Sequence, residues 1–204
     1  TFAGQFCMTG SRVLVQRGVA DELRRRLAER VAAVKVGPAS DAASAMGPLI
    51  DKGNVERVDR AVQAAIDAGA RVLVRGGPVT DGPLAGGAFY RPTLLEIADG
   101  SMAIAQEETF GPVQTFQVFD TENEAVAMAN DSEYGLAASV WTHDQHRALR
   151  VAQRLDAGTV WINDWAVVHD ETEEGGFKQS GRGRLNGPAA LDDFSETKHI
   201  ALKR

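Results

Sequence analysis

Short apolar runs alternate with amphipathic helical stretches along most of this 204-residue chain, and that alternation constrains the fold more than any single motif. Arg12 to Gln16 (RVLVQ) is rich in β-branched residues and reads as a strand. After Gly18, apolar Val19, Leu23, Leu27, Val31 and Val34 recur at helical spacing, and Arg24, Arg25, Arg26, Glu29 and Arg30 fall on the other faces as a solvated charge run. Gly37 and Pro38 end that helix. A loop through Met46-Gly47-Pro48 leads to a second helix with Val55, Val58, Val62, Ala65 and Ile66 inward, Gly69 as its C-cap, and Arg71 to Val74 as the next strand.

Gly76 to Tyr90 is rich in Gly and Pro and reads as a long surface loop or hairpin excursion, not a domain boundary, because the alternation resumes after it. Val113 to Phe119 is a strand. Thr121 with Glu124 forms a capping box for a short helix to about Asn130. Ala137 to Trp141 is a strand, Thr142 with Gln145 predicts a second box, Ala148, Leu149, Val151, Ala152 and Leu155 form the inner face of the next helix, and Thr159 to Ile162 closes the series. The pattern predicts an α/β fold with a mostly parallel sheet covered by helices on both faces. Ligands gather at the carboxyl ends of strands in such sheets, which directs attention to the loops after Ile162 and around Phe110. Thr197 to Leu202 (TKHIAL) reads as a lone terminal strand whose edge needs a partner.

Composition narrows the chemistry. With 22 Lys+Arg against 28 Asp+Glu, the net charge of −6 offers no electrostatic footprint for nucleic acid or an anionic membrane. One cysteine makes no internal disulfide, and with four scattered histidines it makes no zinc cluster, so no metal site is expected. No apolar run reaches 18 residues and no signal-peptide pattern stands out, so a cytoplasmic, reducing compartment is expected.

Cys7, in Gly4-Gln5-Phe6-Cys7, has two readings: a small buried hydrophobe, or a thiolate nucleophile for a carbonyl. Composition does not choose between them. A Cys/His hydrolase needs an imidazole near the sulfur, and His143, His146, His169 and His199 are remote in sequence and read as surface residues. Glu107-Glu108-Thr109-Phe110-Gly111-Pro112 reads either as a turn with solvated acids or as a carboxylate for a ribose diol beside an aromatic that packs on a planar ring. Gly175 to Arg184 (GGFKQSGRGR) has the glycine content of a phosphate loop but lacks its Gly-Lys-Ser/Thr ending.

Taken in order, GQFC, EETFGP about a hundred residues later, GTVWIND and GGFKQSGRGR resemble the aldehyde dehydrogenase superfamily along essentially the whole chain. The resemblance is to the carboxyl-terminal half, with residues 1–195 as the thiol-bearing catalytic domain and 196–204 as an oligomerisation tail. It implies that Cys7 adds to an aldehyde to give a thiohemiacetal and then a thioester, which water hydrolyses. It further implies that the Cys7 N–H joins an oxyanion hole, and that Glu108 and Phe110 bind the nicotinamide end of NAD or NADP. Asn54 and Arg57 fall near positions that contact the cofactor in some members. The family's dinucleotide-binding domain and its general base lie upstream of the cysteine, so a chain starting at Thr1 looks cut and is expected to be inactive alone.

Two departures from the family pattern stand out. Glu173-Glu174 replaces the Pro and aromatic that many members carry before Gly-Gly, and Leu185-Asn186 stands where many carry Glu after the motif's Arg. The loop from Asp164 to Glu174 would line the substrate entrance. Its acids Asp164, Asp170, Glu171, Glu173 and Glu174, with the aromatic Trp165 among them, read either as a face turned to solvent or a neighbouring subunit or as a site for a cationic aldehyde such as an aminoaldehyde or betaine aldehyde. A homodimer or homotetramer through the terminal strand is implied. The alternatives are a CoA-acylating enzyme on the same scaffold and a non-catalytic assembly domain.

Overall fold

A computed structural model describes residues 2–203, which divide into two compact units, 2–131 and 132–203. In the first, β1 (Arg12–Gln16) leads into α1 (Arg17–Ala32), and α2 (Lys52–Asp67) leads into β2 (Arg71–Val74). A hairpin of β3 (Gly77–Pro78) and β4 (Tyr90–Arg91) follows, then β5 (Thr93–Glu96), α3 (Ala103–Gln106), β6 (Val113–Phe119) and α4 (Glu122–Asn130). The sheet order is β1-β6-β5-β2, with β1, β6 and β5 parallel and β2 antiparallel to β5. The α/β expectation of a mostly parallel sheet holds.

Alternate side chains of the sheet serve opposite layers. Val13, Val15, Leu94 and Phe116 pack under Ala20, Leu27, Ala28 and Val31 of α1. On the other face Leu95 packs with Ala65 and Ala105, and Val113 with Val55, Val58 and Val62. Leu94, Leu95 and Phe116 are wholly buried, the fate of short apolar runs in a sheet covered on both sides. The helix signals are chemical. Thr121 and Glu124 make the expected reciprocal capping box. At the end of α2, Gly69 takes φ +100° while its N–H reaches Ile66 O and that of Ala70 reaches Ala65 O, a Schellman closure that turns the chain directly into β2.

Three expectations need correction in this unit. Arg24 is not on a solvated face: its guanidinium lies 5.2 Å from the Phe116 ring centroid and pairs with Glu96, so the buried stripe of α1 is rotated to Ala20, Arg24, Leu27 and Val31, leaving Val19 and Leu23 exposed. The long stem and planar head of arginine pack on an aromatic while a carboxylate satisfies the charge. The sequence reading also passed over β5, a central strand. Finally, the loop around Phe110 precedes β6 and the Cys7 segment precedes β1, so both stand at the amino ends of parallel strands and not at carboxyl ends. The reversed strand β2 brings the start of α2 to the same end. A helix that turns tightly into an antiparallel strand runs in the same sense as β5 and β6, so the N-terminus of α2 is delivered to that end of the sheet.

In the second unit β7 (Tyr134–Gly135) is followed by β8 (Ala137–Val140), α5 (Gln145–Ala152) and β9 (Thr159–Ile162), with β8 and β9 parallel. β10 (Phe177–Lys178) pairs antiparallel with β7, and a 3-10 turn spans Pro188–Phe194. The predicted Thr142 box is absent. Asp144 caps α5 by accepting the Arg147 N–H, and Thr142 Oγ1 accepts only from Asp144 N. Leu149, expected inside, is exposed, and Ala148 is the buried residue of that helix. Residues 195–203 carry no helix or strand, so the expected terminal strand is not formed. A strand exists only through a ladder with a neighbour, and this segment has none within the described residues.

Candidate active site

The segment before β1 is held by two short residues and one long one. Phe2, Ala3 and Gly4 all take left-handed backbone angles (φ 47°, 54° and 72°), a costly sequence for Phe and Ala that persists because Ala3 is buried against Leu49, Val55 and Val58. Gln5 then brackets the approach to α2: its Oε1 accepts from Ile50 N at 2.8 Å and its Nε2 donates to Phe2 O and Pro48 O. A turn closed by Thr9 N donating to Phe6 O at 2.9 Å follows, and Cys7 sits in it with an exposed thiol. The buried-hydrophobe reading of this cysteine is thereby removed.

The Glu107–Pro112 turn meets this segment backbone to backbone. A Cβ on Gly4 would collide with the Gly111 carbonyl, and a Cβ on Gly111 would come within 2.6 Å of a Val58 methyl carbon. Gly111 and Pro112 are buried, whereas Glu108 and Phe110 are exposed, the phenyl ring at 41 %. Phe110 has φ +44°, a left-handed angle for a bulky residue. On α2, Asp51 caps the helix through Asn54 N (2.7 Å), Asn54 Oδ1 accepts from Arg57 Nε (3.0 Å), and Arg57 Nη2 donates to Thr109 O (2.7 Å). Phe2, Gln5, Pro48, Leu49, Ile50, Asn54 and Phe110 line an open depression of ≈ 390 Å³. Its exposed aromatic rings and Ile50 suit a planar apolar group, and Glu108 supplies a free-standing carboxylate nearby in sequence for hydroxyls.

Two motifs a hundred residues apart are thus packed together in one unit, as the site reading requires. Gln5, Leu49 and Ile50 were not singled out by sequence reasoning. The Met46-Gly47-Pro48 loop ahead of α2 was the available signal for the last two.

Residues 1–200 match the family model described as the aldehyde dehydrogenase family. The chain belongs to the aldehyde dehydrogenase family. Betaine aldehyde dehydrogenase of Bacillus subtilis (strain 168) is 40% identical over 198 residues, covering 97% of this chain and 40% of that protein. Among solved structures, betaine aldehyde dehydrogenase from Staphylococcus aureus in complex with NAD+ is 43% identical with a TM-score of 0.93, over 97% of this chain and 39% of that one. The apo form of a point mutant of the same protein gives 0.92 at 43% identity, over 97% and 40%. The chain therefore spans about 40% of the length of the relatives it matches.

In this aldehyde dehydrogenase chain the acid-rich loop belongs to the second unit and is tied down by its own bonds. Asn163 Oδ1 accepts from Thr142 N and its Nδ2 donates to Thr142 O, both at 2.9 Å, and the Trp161 indole donates to Val167 O at 2.8 Å. Asp164 Oδ1 accepts from Trp165 N, while Ser139 Oγ donates to Asp164 O at 2.6 Å. Glu174 exchanges both backbone bonds with Leu185. Glu173 is already occupied: its Oε1 accepts from Ala189 N at 3.1 Å, and that bond holds its carboxyl below the ordinary range. The GGFKQSGRGR segment is a backbone knot. Gly158 has no room for a Cβ against Gly175 O, and Arg184 lies 5.5 Å from the Phe177 ring centroid while donating to Gly176 O and Gly183 O. All four histidines are exposed.

Proposed function

We propose that the protein carrying this chain is an NAD-dependent aldehyde dehydrogenase that oxidises an aldehyde to a carboxylate, with Cys7 as the nucleophile. The observation that carries the reading is the packing of the exposed-thiol segment on the Glu108–Phe110 turn through Gly4 and Gly111. The Cys7 thiolate adds to the aldehyde carbon, forming the C–S bond of a thiohemiacetal, and the Cys7 N–H stands ready to stabilise the oxygen that takes up the charge. The chemistry that bound NAD would supply is the acceptor for the hydride leaving that carbon. Water then cleaves the thioester, returning the thiol and releasing the acid. Glu108 would hold ribose hydroxyls and Phe110 the planar ring; the exposed carboxylate, the exposed phenyl and the apolar depression fit such a group. NAD is favoured over NADP by the NAD+ complex of the Staphylococcus aureus relative.

The substrate class we infer is a cationic aldehyde of the betaine aldehyde or aminoaldehyde kind. The relatives' names point there, and so does a loop whose sequence carries Asp164, Asp170, Glu171 and Glu174 together with Trp165. Residues 1–195 would form the catalytic portion and 196–204 an oligomerisation tail. Ile200 and Leu202, 84% and 90% exposed at alternate positions of a segment without helix or strand, suit pairing with another subunit in a dimer or tetramer. No helix of the described residues is long and apolar enough to cross a membrane, and a cytoplasmic enzyme that keeps its thiol reduced is the reading adopted. Turnover is assigned to the longer protein, and the 204 residues alone are expected to be inactive.

The test is kcat/KM of the full-length protein with NAD on betaine aldehyde and on a neutral aldehyde of equal length, at low and high salt. A preference for the cation that shrinks as salt rises supports the reading. Equal values remove the substrate class, and absence of any aldehyde oxidation removes the activity.

A further inference from the structure

We infer that Arg57 is a positioning residue, which sets NAD affinity by fixing the backbone of the Glu108–Phe110 turn and not by touching the cofactor. The inference rests on the reading of that turn as the cofactor-facing element.

The turn is stored in a conformation it would not adopt alone. Phe110 has a left-handed φ of +44° without the conformational freedom of glycine, and its ring is left partly exposed when burial would favour the opposite. Something outside the turn must over-determine it. Downstream of Phe110 the fastening is steric, with Gly111 closed in by Gly4 on one side and Val58 on the other. Upstream there is one charged donor: Arg57 Nη2 reaches Thr109 O at 2.7 Å, with a longer contact to Phe110 O at 3.5 Å. Val58 and Arg57 are consecutive residues of α2, so one helix holds both sides of the strained peptide.

The arginine is itself aimed. Its Nε is fixed by Asn54 Oδ1 at 3.0 Å, and Asn54 is fixed through its backbone N–H by the Asp51 cap at 2.7 Å. A charge-assisted bond from a planar, pre-oriented guanidinium is among the stronger hydrogen bonds a carbonyl can receive. Asn54 and Phe110 line the same depression, so the relay from Asp51 through Asn54 and Arg57 ends at its wall. Releasing Thr109 O lets the Thr109–Phe110 peptide relax toward ordinary angles, which moves the phenyl ring and the Glu108 carboxylate together. Glu108 and Phe110 would then still be present but no longer pre-organised, and each binding event would have to order them again.

Two readouts on the full-length protein separate this inference from the reading beneath it. The first needs no cofactor: with 4-fluorophenylalanine at position 110, the 19F resonance of Arg57→Met is expected to shift or broaden, and that of Arg57→Lys, which keeps one donor, to move less. The second is NAD affinity by isothermal titration. Arg57→Met should weaken it about tenfold, the loss expected for one charge-assisted hydrogen bond. Arg57→Lys should recover part of it, and in a Glu108→Gln background the Arg57→Met effect should fall below about twofold, since both act through one turn. An unchanged 19F signal in Arg57→Met overturns the inference even where Glu108→Gln weakens NAD and the cofactor reading stands. Penalties that multiply in the double variant overturn it in favour of direct contact. If neither Glu108→Gln nor Phe110→Ala changes NAD affinity, the cofactor reading of the turn fails, and the assignment to Arg57 falls with it.

Discussion

The two units solve the problem of presenting a functional loop in opposite ways. In residues 2–131 a four-stranded sheet is covered on both faces, and most of the buried apolar side chains lie there; in residues 132–203 only Ala148 and Trp161 are buried apolar side chains among the described residues. The first unit carries left-handed Phe2, Ala3 and Phe110 against that core, whereas the second carries left-handed Asn163, Ala166, Lys178 and Asn186 with far less buried apolar surface. The second holds its loops with backbone hydrogen bonds, glycine contacts and side-chain brackets such as Asn163 on Thr142 and Glu173 on Ala189. A packed core supplies the rigidity that exposed chemistry needs. A loop rich in acids needs less of it, because charge attraction acts over longer distances than a covalent step.

If this contrast is right, substitutions should divide along it. Cys7→Ser in the full-length protein is expected to lower kcat by about 10³-fold with an unchanged melting temperature, since the thiol is exposed and a hydroxyl is a weaker nucleophile without a base. Gly4→Ala should be the most damaging change of one methyl, costing about 3 kcal/mol through collision with the Gly111 carbonyl at a left-handed position, read by urea unfolding together with loss of activity. Leu94→Ala in the buried strand β5 should cost about 3 kcal/mol, while Leu149→Ala, on the exposed face of α5, should stay within about 0.5 kcal/mol. Similar costs at both sites would break the comparison.

The smallest effect is electrostatic. Arg25 and Arg26 hold the Glu22 carboxyl at about 2, below its ordinary value of 4.5. A depressed folded-state pKa contributes stability above the unfolded value and loses it as pH falls through 4.5 toward 2. Glu22→Gln should therefore differ slightly from the parent at pH 7 and low salt, and the difference should vanish near pH 2 or in high salt, because the pair is fully exposed.

Much of this was legible in the residues. β1, β2, β6 and β9 begin and end where β-branched runs do, and α2 buries the Val55, Val58, Val62 and Ala65 stripe that its spacing announces. β5 was not legible for a physical reason: buried on both faces, TLLE has no alternation to read, and it follows a Gly/Pro-rich hairpin whose punctuation masks its start. The rotated face of α1 was hidden because a charged residue is expected outside, and only the tertiary position of Phe116 and Glu96 makes Arg24 an inward residue. The site motifs announced themselves by order and spacing. The meeting of these motifs with the start of α2 did not, since it depends on the reversal of β2, which no local pattern encodes.

The account turns on Cys7 being the atom that bonds to substrate. Mixing the full-length protein with NAD and aldehyde, quenching in acid within the first turnover and mapping peptides by mass spectrometry tests this directly. The account predicts an acyl mass increment on the peptide containing Cys7, absent without NAD. Undiminished aldehyde oxidation by the Cys7→Ala protein, or an adduct on another residue, would contradict it.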